Sequence, residues 1–131
     1  MEKQAVNPGN WQDNFSFSQA VAVRGNSQTL YCAGQAAISS EGQPQHAGDM
    51  AAQLTLAFAN LEAVLAKAGY DWSNIVRLLV YTTDFDSLMP HYSLLETRLA
   101  DTIPKPTITI IGVSRLVFPE LVVEIEATAV K

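Results

Sequence analysis

Two carboxylates, Glu124 and Glu126, stand in the otherwise apolar segment Leu121–Val130 (LVVEIEATAV) close to the end of the sequence. The segment is rich in β-branched residues and reads as a strand, because such side chains suit a pleated, packed surface. Strand alternation sends Glu124 and Glu126 to one face, and Val123, Ile125 and Ala127 to the other. At a rise of about 3.3 Å per residue the two carboxylates stand roughly 6.6 Å apart along the strand. They need not share a proton, and their surroundings can differ. A carboxyl group set among apolar residues must be paired, hydrogen-bonded or protonated. Two roles suit the pair: general acid–base work by a carboxyl whose pKa burial has raised, or a structural hydrogen bond at the rim of a sheet. Few other side chains compete. The single Cys32 forms no internal disulfide, and with His46 and His91 it makes no zinc spacing. His46 falls in a loop, and His91 beside an apolar stripe. No Walker or dinucleotide-binding glycine pattern is present, so no metal and no cofactor is expected.

The chain that must position these residues has 131 residues, the size of one domain, here taken as residues 1–131. Hydrophobic residues make up 48% and charged residues 16%, which marks a folded globular chain. The net charge of −5, with eight scattered Lys and Arg, argues against a nucleic-acid partner. No apolar run reaches the roughly 18 residues of a membrane span, and the start MEKQAVNPGN has no secretory pattern. A lone cysteine suits a reducing cytoplasm.

Residues 1–14 are polar and read as an N-terminal loop around Asn7–Asn10. Phe15–Val23 (FSFSQAVAV) alternates and reads as a strand; Gly25 and Asn26 signal a turn, and Thr29–Gln35 (TLYCAGQ) reads as the returning strand. Gly34 interrupts that strand, which marks a bulge or the close approach of a ligand or another backbone. After the loop Ser39–Gly48, Asp49 caps a helix whose stripe is Met50, Leu54, Phe58, Leu61 and Leu65, and Gly69 ends it. Ile75–Thr83 is a strand apolar on both faces. Ser87 caps a second helix, with Pro90 in its first turn and Leu88, Tyr92, Leu95 and Leu99 as its stripe. Thr102–Pro106 turns into the last two strands, Thr107–Val113 and Leu121–Val130. The order ββαβαββ gives an α+β fold with two helices on one face of a mixed sheet. One chain has no element left for the other face, so a symmetric oligomer is expected to cover it.

Four stretches together resemble the RidA (YjgF, endoribonuclease L-PSP) family from about residue 15 onward: YCAGQ at 31–35, AFANLEAVLAKAGY at 57–70, IVRLLVYTTDF at 75–85 and the closing PTITIIGVSRLVFPELVVEIEATAV. The resemblance implies a chorismate-mutase-like fold, a barrel-centred homotrimer with its helices outside, and small-molecule clefts between subunits. Members of the family hydrolyse reactive enamines and imines to keto acids and ammonia. An Arg two residues after the Pro of the penultimate strand holds the substrate carboxylate, and here that position is Ile108. The Glu that positions water corresponds to Glu124. The Gly whose backbone lines the cleft corresponds to Gly34, and the hydroxyl residue before it to Ala33. An aromatic hydroxyl of the first strand corresponds to Phe17, and an Asn of the second helix to Met89. The resemblance therefore implies Glu124 as catalytic residue, with Phe17, Ala33, Gly34 and Ile108 lining the substrate site. It also places the chain in a branch without the carboxylate-binding Arg. Ile cannot replace a bidentate Arg–carboxylate contact, so standard 2-imino-acid deamination is not expected. Three functions follow in order: hydrolysis of a neutral or weakly polar imine, enamine or amide-like substrate; non-catalytic metabolite binding or regulation by the trimer; and, last because of the acidic balance, endoribonuclease activity.

Overall fold

The computed structural model describes residues 1–131. The elements run in the order β1 (Glu2–Val6), β2 (Ala20–Arg24), β3 (Thr29–Ala36), α1 (Met50–Lys67), β4 (Ile75–Thr82), α2 (Phe85–Leu88), α3 (Tyr92–Arg98), β5 (Thr107–Gly112) and β6 (Val123–Val130). The main sheet has the strand order β3-β6-β4-β5. β6 lies between β3 and β4 and is antiparallel to both, while β4 and β5 are parallel. The sheet is mixed, and the last strand of the chain is at its centre.

One face packs against the helices. Register puts Leu78 beside Ala127 and Ile108, and Val80 beside Ile125 and Ile110, so these share that face. They meet Phe58, Leu61 and Leu65 of α1, Leu88 of α2 and Leu95 of α3 in one core. α1 forms as its spacing predicts. Asp49 caps it by accepting the Ala52 amide at 3.1 Å, and Gly69 ends it at φ +79°, a left-handed conformation that glycine adopts without steric cost. The opposite face carries Arg77, Leu79 and Tyr81 of β4 beside Thr128, Glu126 and Glu124 of β6. No element of the chain spans that face, and Tyr31 on it is 80% exposed.

Three expectations are corrected. Residues 1–14 are not only a loop: β1 runs along β2, from Glu2 opposite Arg24 to Val6 opposite Ala20, and residues 11–15 form a 3-10 turn. The polar composition of EKQAV hides this strand, because the ribbon is largely exposed and has little apolar alternation to show. The expected strand from Phe15 begins only at Ala20, and it pairs with β1 instead of returning as a hairpin with β3. Ser16 is the cause: its φ of +59° breaks the extended backbone, so Phe15 and Phe17 alternate without being in a strand. The second helix is split. Asp84, not Ser87, caps α2, since its side chain accepts the Ser87 amide at 3.1 Å. Pro90, which lacks an amide hydrogen, falls in a 3-10 turn that separates α2 from α3. No helix is long and apolar enough to cross a membrane.

Candidate functional site

Glu124 leaves the open face of β6 and is half-buried. Its position depends on a bulge in β3. Cys32 pairs with Ala127 and Gln35 with Ile125, so Ala33 and Gly34 together stand opposite Glu126 alone. The bulge expected at Gly34 is present, and what closely approaches its backbone is a side chain, where a ligand or another backbone was the expected alternative. That group is the Glu124 side chain. A Cβ on Gly34 would lie 2.6 Å from Glu124 Cδ and 2.8 Å from Oε1. Ala33 is exposed beside it. Burial raises the Glu124 pKa above the ordinary carboxylate value, and the charge of Glu126 adds to the rise. Glu126 is the bonded member of the pair, for Tyr81 Oη donates to its Oε1 at 3.0 Å. Beyond Glu126 a hollow of about 210 Å³ opens on the same face, lined by Tyr31, Arg77 and Thr128 among others.

Hydrogen bonds from the helix layer fix the start of β6. Gln53 of α1 is fully buried. It donates to Glu120 O at 2.7 Å and to His46 O at 3.1 Å, and accepts the Val122 amide at 2.9 Å. Thr82 Oγ1 donates to Val122 O at 2.7 Å. The end of β3 is held in the same way, with Asn60 Nδ2 donating to Ala36 O at 2.9 Å and Ile38 O at 3.0 Å. The two strands that bring Gly34 and Glu124 together are thus anchored by polar side chains of α1 and β4.

Phe17 and Ile108 lie elsewhere. β5 is separated from β6 by β4, and Ile108 leaves the helix-side face, whereas Glu124 leaves the open face. The expectation that Ile108 and Phe17 bury Glu124 is corrected for one chain. Its burial comes from Gly34 and the sheet. Phe17, Met89, Ile108 and Ile110 instead line an apolar recess of about 220 Å³. Phe17, Met89 and Ile108, three of the four positions at which the resemblance implies a polar residue, thus share one wall, while the fourth, Ala33, lies beside Gly34 in β3. Arg115 lies in a third hollow with Thr83, Ser114 and Phe118, and its Nε donates to Leu116 O at 3.3 Å.

Sequence reasoning missed Tyr81, Gln53 and the remaining walls of the recess. Alternation along IVRLLVYTT puts Tyr81 with Leu79, but its reach to Glu126 depends on the β4–β6 register, which no local signal carries. Gln53 sits among the apolar positions of α1, and a polar residue at a core position was the available signal.

The endoribonuclease L-PSP family profile matches residues 12–131. A RutC family protein of Aquifex aeolicus is 34% identical over 115 residues, covering 88% of each chain. The RutC family protein YjgH of Escherichia coli is 27% identical, covering 88% of this chain and 87% of its own. The crystal structure of YyfB from Yersinia pestis, a Rid-family protein of unknown function, superposes over 100% of both chains with a TM-score of 0.88 at 32% identity.

Proposed function

The chain belongs to the endoribonuclease L-PSP (RidA/YjgF) family, and from that premise we propose that it is a cytoplasmic hydrolase of small uncharged imines or enamines, working in clefts between the copies of a homotrimer. The observation that carries this reading is the separation of the half-sites. Gly34 and Glu124 are on the open sheet face, and Phe17, Met89 and Ile108 on the helix side. One chain cannot present both to one small molecule. A second copy packed on the open face can bring its apolar recess to Glu124, and a rotation that closes after three copies gives every cleft the same composition. The chain then falls in a branch of the family without the carboxylate-binding Arg.

Chemistry follows from a carboxyl group packed against the Gly34 bulge, where burial raises its pKa. Glu124 gives its proton to the imine nitrogen, and water adds to the carbon. The carboxylate takes a proton from that water, and the carboxyl returns it to the amine nitrogen. The C–N bond breaks, ammonia leaves, the carbonyl forms, and the last hydroxyl proton goes back to Glu124. The balance is imine plus water to ketone or aldehyde plus ammonia. An imino acid is disfavoured, because its carboxylate meets hydrocarbon at Ile108 and a carboxyl at Glu124. The test is turnover of a freshly generated neutral imine, followed by ammonia release, in wild type and Glu124→Gln. Turnover lost in the variant supports the reading. Equal rates in both would refute it, and ligand binding without any turnover would leave a binding protein in its place.

A further inference from the structure

We propose that the recess around Ile108 selects the substrate by its hydrocarbon part: an uncharged imine or enamine carrying one aromatic ring, or a branched alkyl group of similar size, seated between Phe17 and Ile108. This rests on the hydrolase reading above and adds a substrate class to it.

The wall carries no charged side chain. Beyond Phe17, Met89, Ile108 and Ile110 it is made of Trp11, Phe15 and Tyr92. The one hydroxyl among them is already engaged, since Tyr92 Oη donates to Phe15 O at 2.6 Å. Burial, with the charge of Glu96 added, pushes that phenol up to about 12, so it stays a donor at any working pH. Nothing in the wall offers an ion pair to a charged group, and its one free donor is the indole N–H of Trp11, a residue at the exposed rim.

The wall is also built in place. Ser16 takes a left-handed conformation, φ +59°, which is strained for a residue with a side chain. Three long-range hydrogen bonds hold the segment there: Ser16 Oγ to Glu96 Oε2 at 2.7 Å, the Ser18 amide to Pro106 O at 2.9 Å, and Tyr92 to Phe15 as above. Trp11 meets Phe17 edge to face with ring centroids 5.5 Å apart. Strain retained under such restraint is a feature of ligand-binding walls. At the rim, Trp11 is 58% and Phe15 45% exposed, an arrangement that leaves apolar surface unpaid in water until something covers it.

Size decides what covers the interior. A cavity of about 150 Å³ lined by apolar side chains accepts benzene, and the recess measures about 220 Å³. That is room for one ring with a short chain.

Phenylacetone, a neutral product-like ketone, is the probe, with 2-oxobutanoate as its charged counterpart. Protein labelled at the Ile δ1 and Met ε methyls is titrated with each and followed by NMR. Phenylacetone is expected to shift the methyls of Ile108, Ile110 and Met89 with a dissociation constant on the order of 1 mM, while those of Ile75 and Ile125, fully buried in the core, stay still. The charged ketone is expected to leave all five in place. An equal response to 2-oxobutanoate, or recess shifts no larger than those of Ile75, overturns the inference. Methyl shifts without any imine turnover would remove the hydrolase reading and leave the recess as an apolar ligand site. Turnover of neutral imines without methyl shifts would do the reverse.

Discussion

Gly34→Ala tests the contact on which the catalytic carboxyl depends. The added Cβ would come within 2.6 Å of Glu124 Cδ and 2.8 Å of its Cγ and Oε1. Carbon atoms in good contact are about 3.5–4.0 Å apart, so the overlap is roughly 1 Å. The obstructing atoms are the outer end of a flexible side chain, and the Glu124 carboxyl moves before the strands do. Overpacking of this kind costs about 1–3 kcal/mol, with the lower end expected because the side chain can swing away. That is a fall in melting temperature of a few degrees. The functional loss is larger, since a 1 Å misplacement of a reacting group costs on the order of 100-fold in rate. Glu124 also loses burial, the main cause of its raised pKa. Its carboxyl titration, followed by NMR, is expected to fall towards the model value of about 4.3. A Gly34→Ala protein with the titration, melting temperature and rate of wild type would refute the contact between Gly34 and Glu124 and the role built on it.

Further expectations follow from the same geometry. The folded pKa of Glu124 is above its unfolded value, so its ionisation costs stability as pH rises through the window between the two values. Thermal unfolding across pH is expected to show Glu124→Gln more stable than wild type above that window, with the gap closing below it. Tyr81→Phe removes the donor to Glu126 and is expected to cost about 1 kcal/mol in denaturant unfolding. Gln53→Leu leaves the Glu120 carbonyl and the Val122 amide unpaired at the start of β6, while the His46 carbonyl keeps the Asp49 amide; roughly 2–4 kcal/mol is expected in the same assay. Ile108→Arg is expected to raise hydrolysis of 2-iminobutanoate, read by semicarbazide trapping, by one to two decades from a negligible wild-type rate, from a charge-assisted contact worth about 1.5–3 kcal/mol. It is also expected to abolish the phenylacetone shifts.

What the sequence made legible was whatever local periodicity or local chemistry determines. The stripe Met50 to Leu65 between Asp49 and Gly69 gave α1 with its cap and stop. The alternation in VVEIEATAV gave the correct faces of β6, with Val123, Ile125 and Ala127 buried. Gly34 drew attention because an interior glycine needs a cause, and the cause is Glu124. The failures came where distant parts decide. β1 exists because β2 supplies its ladder, not because EKQAV favours a strand. The Phe15–Gln19 alternation was deceptive because three tertiary hydrogen bonds fix a left-handed Ser16 in its midst. That Glu124 and Ile108 leave opposite faces within one chain was not legible, because the strand order β3-β6-β4-β5 is non-local, and because strand parity alone does not say which faces of different strands coincide.

Complementation between two inactive variants tests most directly whether the half-sites work together only across copies. Glu124→Gln lacks the acid–base group but keeps the recess; Ile108→Trp fills the recess but keeps Glu124. The two proteins are unfolded, mixed in equal amounts and refolded, and turnover of a neutral aryl-substituted imine is measured. If each cleft joins Glu124 of one copy to the recess of the next, random trimers restore about a quarter of the wild-type activity. No recovery, from a mixture that native mass spectrometry shows to contain mixed trimers, would mean that Glu124 and the recess do not share a cleft.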